Sequence, residues 1–321
     1  MQTDTTVAII LAAGKGTRMQ SPKPKVLHEV CGITLLGCVI EAVQKAGITQ
    51  IVVVVGEQKE EVKESLRGVQ VKAVEQSVRL GTAHAVQSAQ HLVLGSQGVV
   101  VLNGDAPLIK PLTIKRLITA SAETNADVTL LTAMLDRPQG YGRIFRNSHG
   151  SIKKIIEEND ADNNELKIRE INAGIYAFQT ISLLEGLAHI KPNNKKKEFY
   201  LTDIVSVFCG KGRKVEGVVC EDATEVLGVN TQLELAVANK IRRDEILCSY
   251  MERGITIVDP EKTFIENHVE IGDGSVVYPF TYIGKNVIIG RRCSIGPFAY
   301  IRAGARIGDN EKIQDVDGKM I

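Results

Sequence analysis

The chain has 321 residues, 44% of them hydrophobic, which is enough for about two domains with sizeable cores. A net charge of +1 excludes a broadly basic nucleic-acid surface, so any anion must be held by locally placed charge. Cys31, Cys38, Cys209, Cys220, Cys248 and Cys293 form no CxxC pair and no His/Cys cluster of zinc-ligand spacing. "MQTDTTVAII" lacks the basic start of a signal peptide, and no apolar run approaches the ~20 residues that span a bilayer. The expectation is reduced thiols, a cytoplasmic location, and neither a membrane nor a nucleic-acid partner.

From the N-terminus, strand-like and helical runs alternate. "VAIIL" (7–11) predicts a strand and leads into the basic loop "LAAGKGTRMQSPKPK" (11–25). A helix follows over 35–47, stopped by Gly47. "QIVVVVG" (50–56) is a continuous β-branched run, as in a strand buried on both faces. A polar helix (57–68), a strand (71–76), a helix (81–93) and a buried strand (98–105) come next. Such alternation predicts a largely parallel, doubly wound sheet, whose ligands sit outside the carboxyl ends of its strands. That singles out 11–18, 76–82 and 103–105.

Residues 230–254 predict one long amphipathic helix joining two domains. After it Ile265, Ile271, Val277, Ile283, Ile289, Ile295, Ile301 and Ile307 recur every six residues, with a small or β-branched residue two places before each. This is a β-helix signature, with aliphatic side chains stacked inside. At about 18 residues per coil it allows two to three turns. The repeat is expected to stop near Asp309 and to leave a polar tail.

The basic loop matches neither phosphate-binding fingerprint. Met19 stands where GxGxxG needs glycine, and GxxxxGK[ST] is absent. Small residues after a strand still let backbone N–H groups approach an oxygen-rich ligand, and Lys15, Arg18 and Lys25 add charge. Taken singly, each of these residues fits a solvated basic loop equally well.

Taken together, the motifs are more specific. "LAAGKGTRM", "PKPKVLHEVCG", "VEQSVRLGTAHAV", "VLNGDAPLI", "GYGRI", "IIEENDA", "EINAGIY", "EFYLTDIV" and "EVLGVNTQLELA" occur in order over residues 7 to about 237. This series resembles the sugar-1-phosphate nucleotidyltransferases, and most of all the bacterial N-acetylglucosamine-1-phosphate uridylyltransferase family. The resemblance implies an α/β fold: a Rossmann-like nucleotidyltransferase domain (1–228), a linker helix (229–254) and a short left-handed parallel β-helix with its tail (255–321). It also implies UTP and N-acetylglucosamine 1-phosphate as substrates, Mg²⁺ as cofactor, and a homotrimer.

By the same resemblance, Leu11, Ala12, Ala13 and Gly14 line the uridine site, and Gln76, Gly81 and Thr82 complete the base pocket. Arg79 stands where an uncharged polar residue is expected and is left out of the site. Asn103 and Gly104 contact the nucleotide. Asp105 is either a turn residue or a Mg²⁺ ligand, and Asn230 a helix cap, the second ligand, or both. Gly142, Glu157 and Asn172 hold the sugar, flanked by Tyr200 and Thr202. Glu158, adjacent and equally acidic, is the rival to Glu157. Lys195–Lys197 is expected to be solvated.

No histidine pairs with a candidate Ser or Cys nucleophile. The attacking phosphate is already anionic near neutrality, so Arg18, Lys25 and Mg²⁺ are expected to act by neutralising charge. The bifunctional members of the family also acetylate glucosamine 1-phosphate. With eight hexapeptides, and His268 as the only histidine among them, this chain is not expected to.

Overall fold

The structure, a computed structural model, describes residues 5–314. It divides into two compact units. The first comprises the chain up to His28 together with Leu35–Thr231; the second comprises Glu29–Thr34 and the chain from Gln232.

The first unit is built on strands β1 (Thr6–Ala12), β2 (Gln50–Val55), β3 (Lys72–Glu75), β4 (Gly98–Asn103), β5 (Val128–Met134), β6 (Arg143–Arg146), β7 (Ile152–Ile156), β8 (Glu170–Gln179) and β9 (Val215–Val219). Its helices are α1 (Leu35–Lys45), α2 (Lys59–Ser65), α3 (Thr82–Ser88), α4 (Pro111–Thr124), α5 (Thr180–His189) and α6 (Asp203–Gly210). The sheet order is β9-β5-β8-β4-β1-β2-β3, with the β6–β7 hairpin attached to β8.

Strands β4, β1, β2 and β3 are parallel, as the alternating pattern predicts. Strand β8 departs from it and runs antiparallel between β4 and β5. The continuous apolar runs divide residue by residue between two cores. Ala8, Ile10, Val53, Val55, Val100 and Leu102 face one side with α1 and α4; Val7, Ile9, Val52, Val54, Val99 and Val101 face the other with α3, α5 and α6. This is why the strands lack a polar face. The helix expected over 81–93 is shorter, ending at Ser88 before a separate turn, Gln90–Leu92.

The second unit holds helix α7 (Gln232–Glu252), the two-residue strands Glu29–Val30 and Ile33–Thr34, and a β-helix. The helix expected over 230–254 spans Gln232–Glu252 and counts with this unit, while residues 230 and 231 count with the first. The β-helix has three flat faces, built by strands starting at Thr256, Thr263 and Glu270. Val277 pairs with Ile295 and Ile295 with Ile313, steps of 18 residues. The repeat thus continues past Asp309 to Ile313, for three coils and the first strand of a fourth. Residues 315–321 of the expected tail lie outside the described residues.

Every sixth residue turns a corner with left-handed φ: His268, Gly274, Phe280, Asn286, Arg292, Phe298, Gly304 and Asn310. Inside, Ile265, Val277, Ile283, Ile295 and Ile301 are fully buried. Each contributes about 1.5–3 kcal/mol of apolar burial, which sustains corner conformations that cost a non-glycine residue roughly 1–2 kcal/mol.

The hairpin at 29–34 was not foreseen as part of this unit. Side chains far along the chain satisfy its backbone. Asn239 Oδ1 accepts from the Cys31 N–H at 2.9 Å, Asn267 Nδ2 donates to the Cys31 carbonyl at 2.6 Å, and Lys285 Nζ donates to the Gly32 carbonyl at 3.1 Å. No described helix is long and apolar enough to cross a membrane.

Candidate active site

Parallel register sets the site. Leu11 on β1 lies beside Asn103 on β4, and Ala12 beside Val55 on β2, so the carboxyl ends of the strands fall level. Two cavities open over them. The first, about 560 Å³, is lined by Leu11, Ala12, Ala13, Gly14, Lys25, Gln76, Gly81, Thr82, Asn103 and Asp105. The second, about 240 Å³, is lined by Arg18, Gly142, Glu157, Asn172, Thr202 and Asn230, and shares Leu11, Thr82, Asn103 and Asp105 with the first. One expected contact is missing. Gly104 lines neither cavity, and its N–H donates to the Leu11 carbonyl at 2.9 Å. Tyr200 also stays outside.

Within the basic loop, Lys25 lines the first cavity. Its ammonium donates to Asp105 Oδ2 and, at 3.0 Å, to Asn230 Oδ1. The Lys25 and Asp105 side chains are only 12% and 18% exposed, so the charges are largely desolvated and depend on each other. Gly16 makes this possible. It has φ +62°, and a Cβ there would strike Lys25 Cβ at 2.5 Å. Lys15 instead reaches out to Glu57 at 3.6 Å.

Asp105 and Asn230 supply two hard oxygens converging on one cation, here the Lys25 ammonium. The described residues contain no group of three or more His, Cys, Asp or Glu that could hold a metal. A two-oxygen donor set fits Mg²⁺, which takes one or two carboxylates and completes its shell with phosphate oxygens and water.

At the other end of the first cavity, Gln76 is 5% exposed. Its Nε2 faces the Gly81 carbonyl at 3.0 Å and His84 Nδ1 at 3.1 Å, which leaves Oε1 to accept a hydrogen bond from a ligand. Gly81 has φ +116°, and a Cβ would collide with the Phe199 backbone. Thr82 Oγ1 accepts from the Leu201 N–H at 2.9 Å. "GTAHA" and "EFYLTD", far apart in sequence, therefore form one wall.

In the second cavity the two adjacent glutamates separate. Glu157 lines the cavity and accepts from Thr202 Oγ1 at 3.0 Å, while burial pushes its carboxyl up. Glu158 turns away, accepting from the Gly140 N–H at 2.8 Å and lying 3.5 Å from the buried Arg143. Asp203 nearby is pushed up to about 6, by burial first and then by Glu157 and Asp160. Asn172 Nδ2 donates to the Tyr176 hydroxyl at 2.6 Å.

The site also holds residues that sequence reasoning missed. Arg79, set aside earlier, lines the first cavity, as does Glu198. Arg79 was legible from its place in a strand-end loop; Glu198 had no signal of its own. Tyr141 lines the second cavity, and its hydroxyl accepts from the Gly228 N–H at 3.1 Å. The Lys195 side chain bonds the Asn159 carbonyl of a neighbouring loop, and Lys195–Lys197 lines neither cavity.

Residues 8–170, just over half the chain, match the MobA-like NTP transferase domain. The chain belongs to that family. Residues 262–293 match the bacterial transferase hexapeptide repeat. Among curated relatives, the bifunctional protein GlmU of Acetivibrio thermocellus is 46% identical over 276 residues, 86% of this chain and 60% of that protein. The GlmU of Carboxydothermus hydrogenoformans is 44% identical over 310 residues, 96% of this chain and 66% of that protein. The chain thus spans about three-fifths of the length of the curated relatives it matches. A crystal structure of UDP-glucose pyrophosphorylase complexed with UDP-glucose superposes with a TM-score of 0.61 at 17% identity, covering 75% of this chain and 99% of that one. That likeness concerns the fold, which is the Rossmann-like nucleotidyltransferase fold. Both cavities open on the first unit, in which most of the family match also lies.

Proposed function

We propose that this NTP transferase transfers UMP from UTP to N-acetylglucosamine 1-phosphate, giving UDP-N-acetylglucosamine and pyrophosphate. The observation that carries the reading is a pair of abutting cavities with a shared wall at Leu11, Thr82, Asn103 and Asp105, and with Lys25 held at Asp105. One cavity suits a nucleotide and the other a sugar phosphate, so their phosphates meet at the cation. Relatives named GlmU support the choice of sugar.

In this reading Gln76 Oε1 accepts from the uracil imide, and Ala12–Gly14 leave room for the base. Glu157 and Asn172 bind sugar hydroxyls, and Gly142 lets the ring lie against backbone. The sugar phosphate is its own nucleophile. Its second pKa near ~6 leaves it anionic at neutral pH, so no side chain need remove a proton. Lys25 and Arg18 balance the charge that builds on the α-phosphate and the leaving pyrophosphate. A Mg²⁺ bound through Asp105 and Asn230 would add charge neutralisation at the same phosphates.

The test is pyrophosphate release across a panel of nucleoside triphosphates and sugar 1-phosphates. UTP with N-acetylglucosamine 1-phosphate should give the highest kcat/KM; a clear preference for another hexose 1-phosphate would replace the substrate assigned here. A non-catalytic regulatory subunit is the second reading. The joint presence of Lys25, Asp105 and Asn230 argues against it, since a scaffold needs no such constellation. The proposal includes a cytoplasmic location and a homotrimer. It assigns no acetyl transfer to these 321 residues; steady thiol release from acetyl-CoA with glucosamine 1-phosphate would overturn that part.

A further inference from the structure

Three loops leave the carboxyl ends of the adjacent parallel strands β1, β2 and β3, and one ion trio ties them together. Arg79 Nη2 lies 2.8 Å from Glu57 Oε2, and Lys15 Nζ lies 3.6 Å from the same oxygen. All three residues line a recess of about 250 Å³ that shares Gly14, Thr17 and Lys25 with the larger cavity. Arg79 and Lys15 line the larger cavity as well. A single carboxylate oxygen is thus gripped by two cations from two different loops, on the wall of a site already supplied with Lys25.

The trio is loosely held. Glu57 is 67% exposed, Lys15 57% and Arg79 30%, and ion pairs so open to water contribute little. A terminal phosphate carries more charge than a carboxylate and offers several oxygens to a planar guanidinium, so it competes well for the same cations. We propose that this recess is a subsite for the terminal phosphates of the nucleoside triphosphate, with Glu57 as a displaceable counter-ion. Arg79, assisted by Lys15, exchanges the Glu57 carboxylate for phosphate oxygens when the nucleotide enters. When pyrophosphate leaves, Glu57 takes the cations back. The inference rests on the nucleotide reading of the larger cavity.

The experiment is equilibrium binding by calorimetry without sugar phosphate, so that no turnover occurs, using UTP and UMP on the full chain. UMP lacks the terminal phosphates and reports on base, ribose and α-phosphate contacts alone. Arg79→Gln should weaken UTP binding about tenfold while leaving UMP unchanged. Glu57→Gln removes the competing anion and should tighten UTP, again without effect on UMP. Both residues are exposed enough that the variants should keep the wild-type melting temperature. The subsite is overturned if Arg79→Gln weakens UTP and UMP equally, which would place Arg79 on the base or ribose. It is also overturned if neither variant changes UTP affinity. If the wild-type chain binds neither nucleotide, the nucleotide reading itself fails, and this subsite with it.

Discussion

The Tyr141 hydroxyl accepts a hydrogen bond from the Gly228 amide at 3.1 Å, across 87 residues of sequence. Tyr141 stands beside Gly142 in the second cavity. Gly228 precedes Val229, whose N–H donates to the Asp105 carbonyl at 2.8 Å, and Asn230, whose side chain meets Lys25. One hydroxyl therefore joins the sugar side of the site to the loop carrying the proposed metal ligand. Tyr141→Phe removes a contact of about 1 kcal/mol and leaves the ring in place. The expected result is a rise of about fivefold both in KM for the sugar phosphate and in the Mg²⁺ concentration for half-maximal rate. Movement of neither constant would show that the two loops are not coupled through Tyr141.

Turnover should require Mg²⁺ and collapse in Asp105→Ala and Asn230→Ala, by about 100-fold or more in kcat. Asp105→Ala also strips Lys25 of its carboxylate partner. Asn230→Ala is therefore the cleaner variant, and its loss should be partly recovered at high Mg²⁺. If both variants turn over near the wild-type rate while folded, the metal does not sit at these residues.

Lys25 and Lys15 should separate kinetically. Lys25 points inward to Asp105 and Asn230, whereas Lys15 reaches the exposed Glu57. Lys25→Ala should lower kcat by roughly 100-fold. Lys15→Ala should act mainly on KM for UTP. Equal losses of kcat in the two variants would contradict the assignment of Lys25 to the reacting phosphates.

Asp203 makes stability depend on pH. Its ordinary value is 3.8, and in the folded chain it is raised to about 6. Below 3.8 both folded and unfolded chains hold the proton, and between the two values mainly the folded chain does. The stabilising contribution is thus full at low pH and is lost as pH rises through about 6. Asp203→Asn mimics the protonated side chain. It should raise the melting temperature at about pH 8, with the gain shrinking toward about pH 5. A gain independent of pH would mean that the carboxyl is not raised.

Self-association is the fifth expectation. Among the described residues, the strands of each coil pair with neighbouring coils alone, and stacked repeats rely on neighbours or caps for stability. Light scattering should give three times the chain mass. A stable monomer at assay concentration would remove the homotrimer from the proposal.

The parts of the molecule legible in the sequence are those with short-range signals. Strand-end loops such as 11–18 and 103–105 carry their small and charged residues together, so the parallel sheet brings Leu11 and Asp105 to one place, and the left-handed turn at Gly16 lets Lys25 join them. The sixfold Ile/Val spacing announced the β-helix core before any contact was known. What could not be read depends on side chains meeting backbone far away. Nothing near Cys31 announces that Asn239 and Asn267 will bind its amide and carbonyl. Glu157 and Glu158 are chemically alike, and only the Thr202 hydroxyl and the Gly140 amide separate them. The antiparallel placement of β8 is likewise invisible, because a strand buried on both faces has the same composition in either direction.

The 18-residue step from Val277 to Ile295 to Ile313 returns each inward position to the same face. The β-helix is therefore a part of adjustable length. Removing or duplicating one whole coil leaves every remaining side chain pointing where it did before. Removing a single hexapeptide instead turns all that follows by a third of a revolution. In any lengthened or shortened form, the coils that follow the change keep their facing only if it is made in multiples of three repeats.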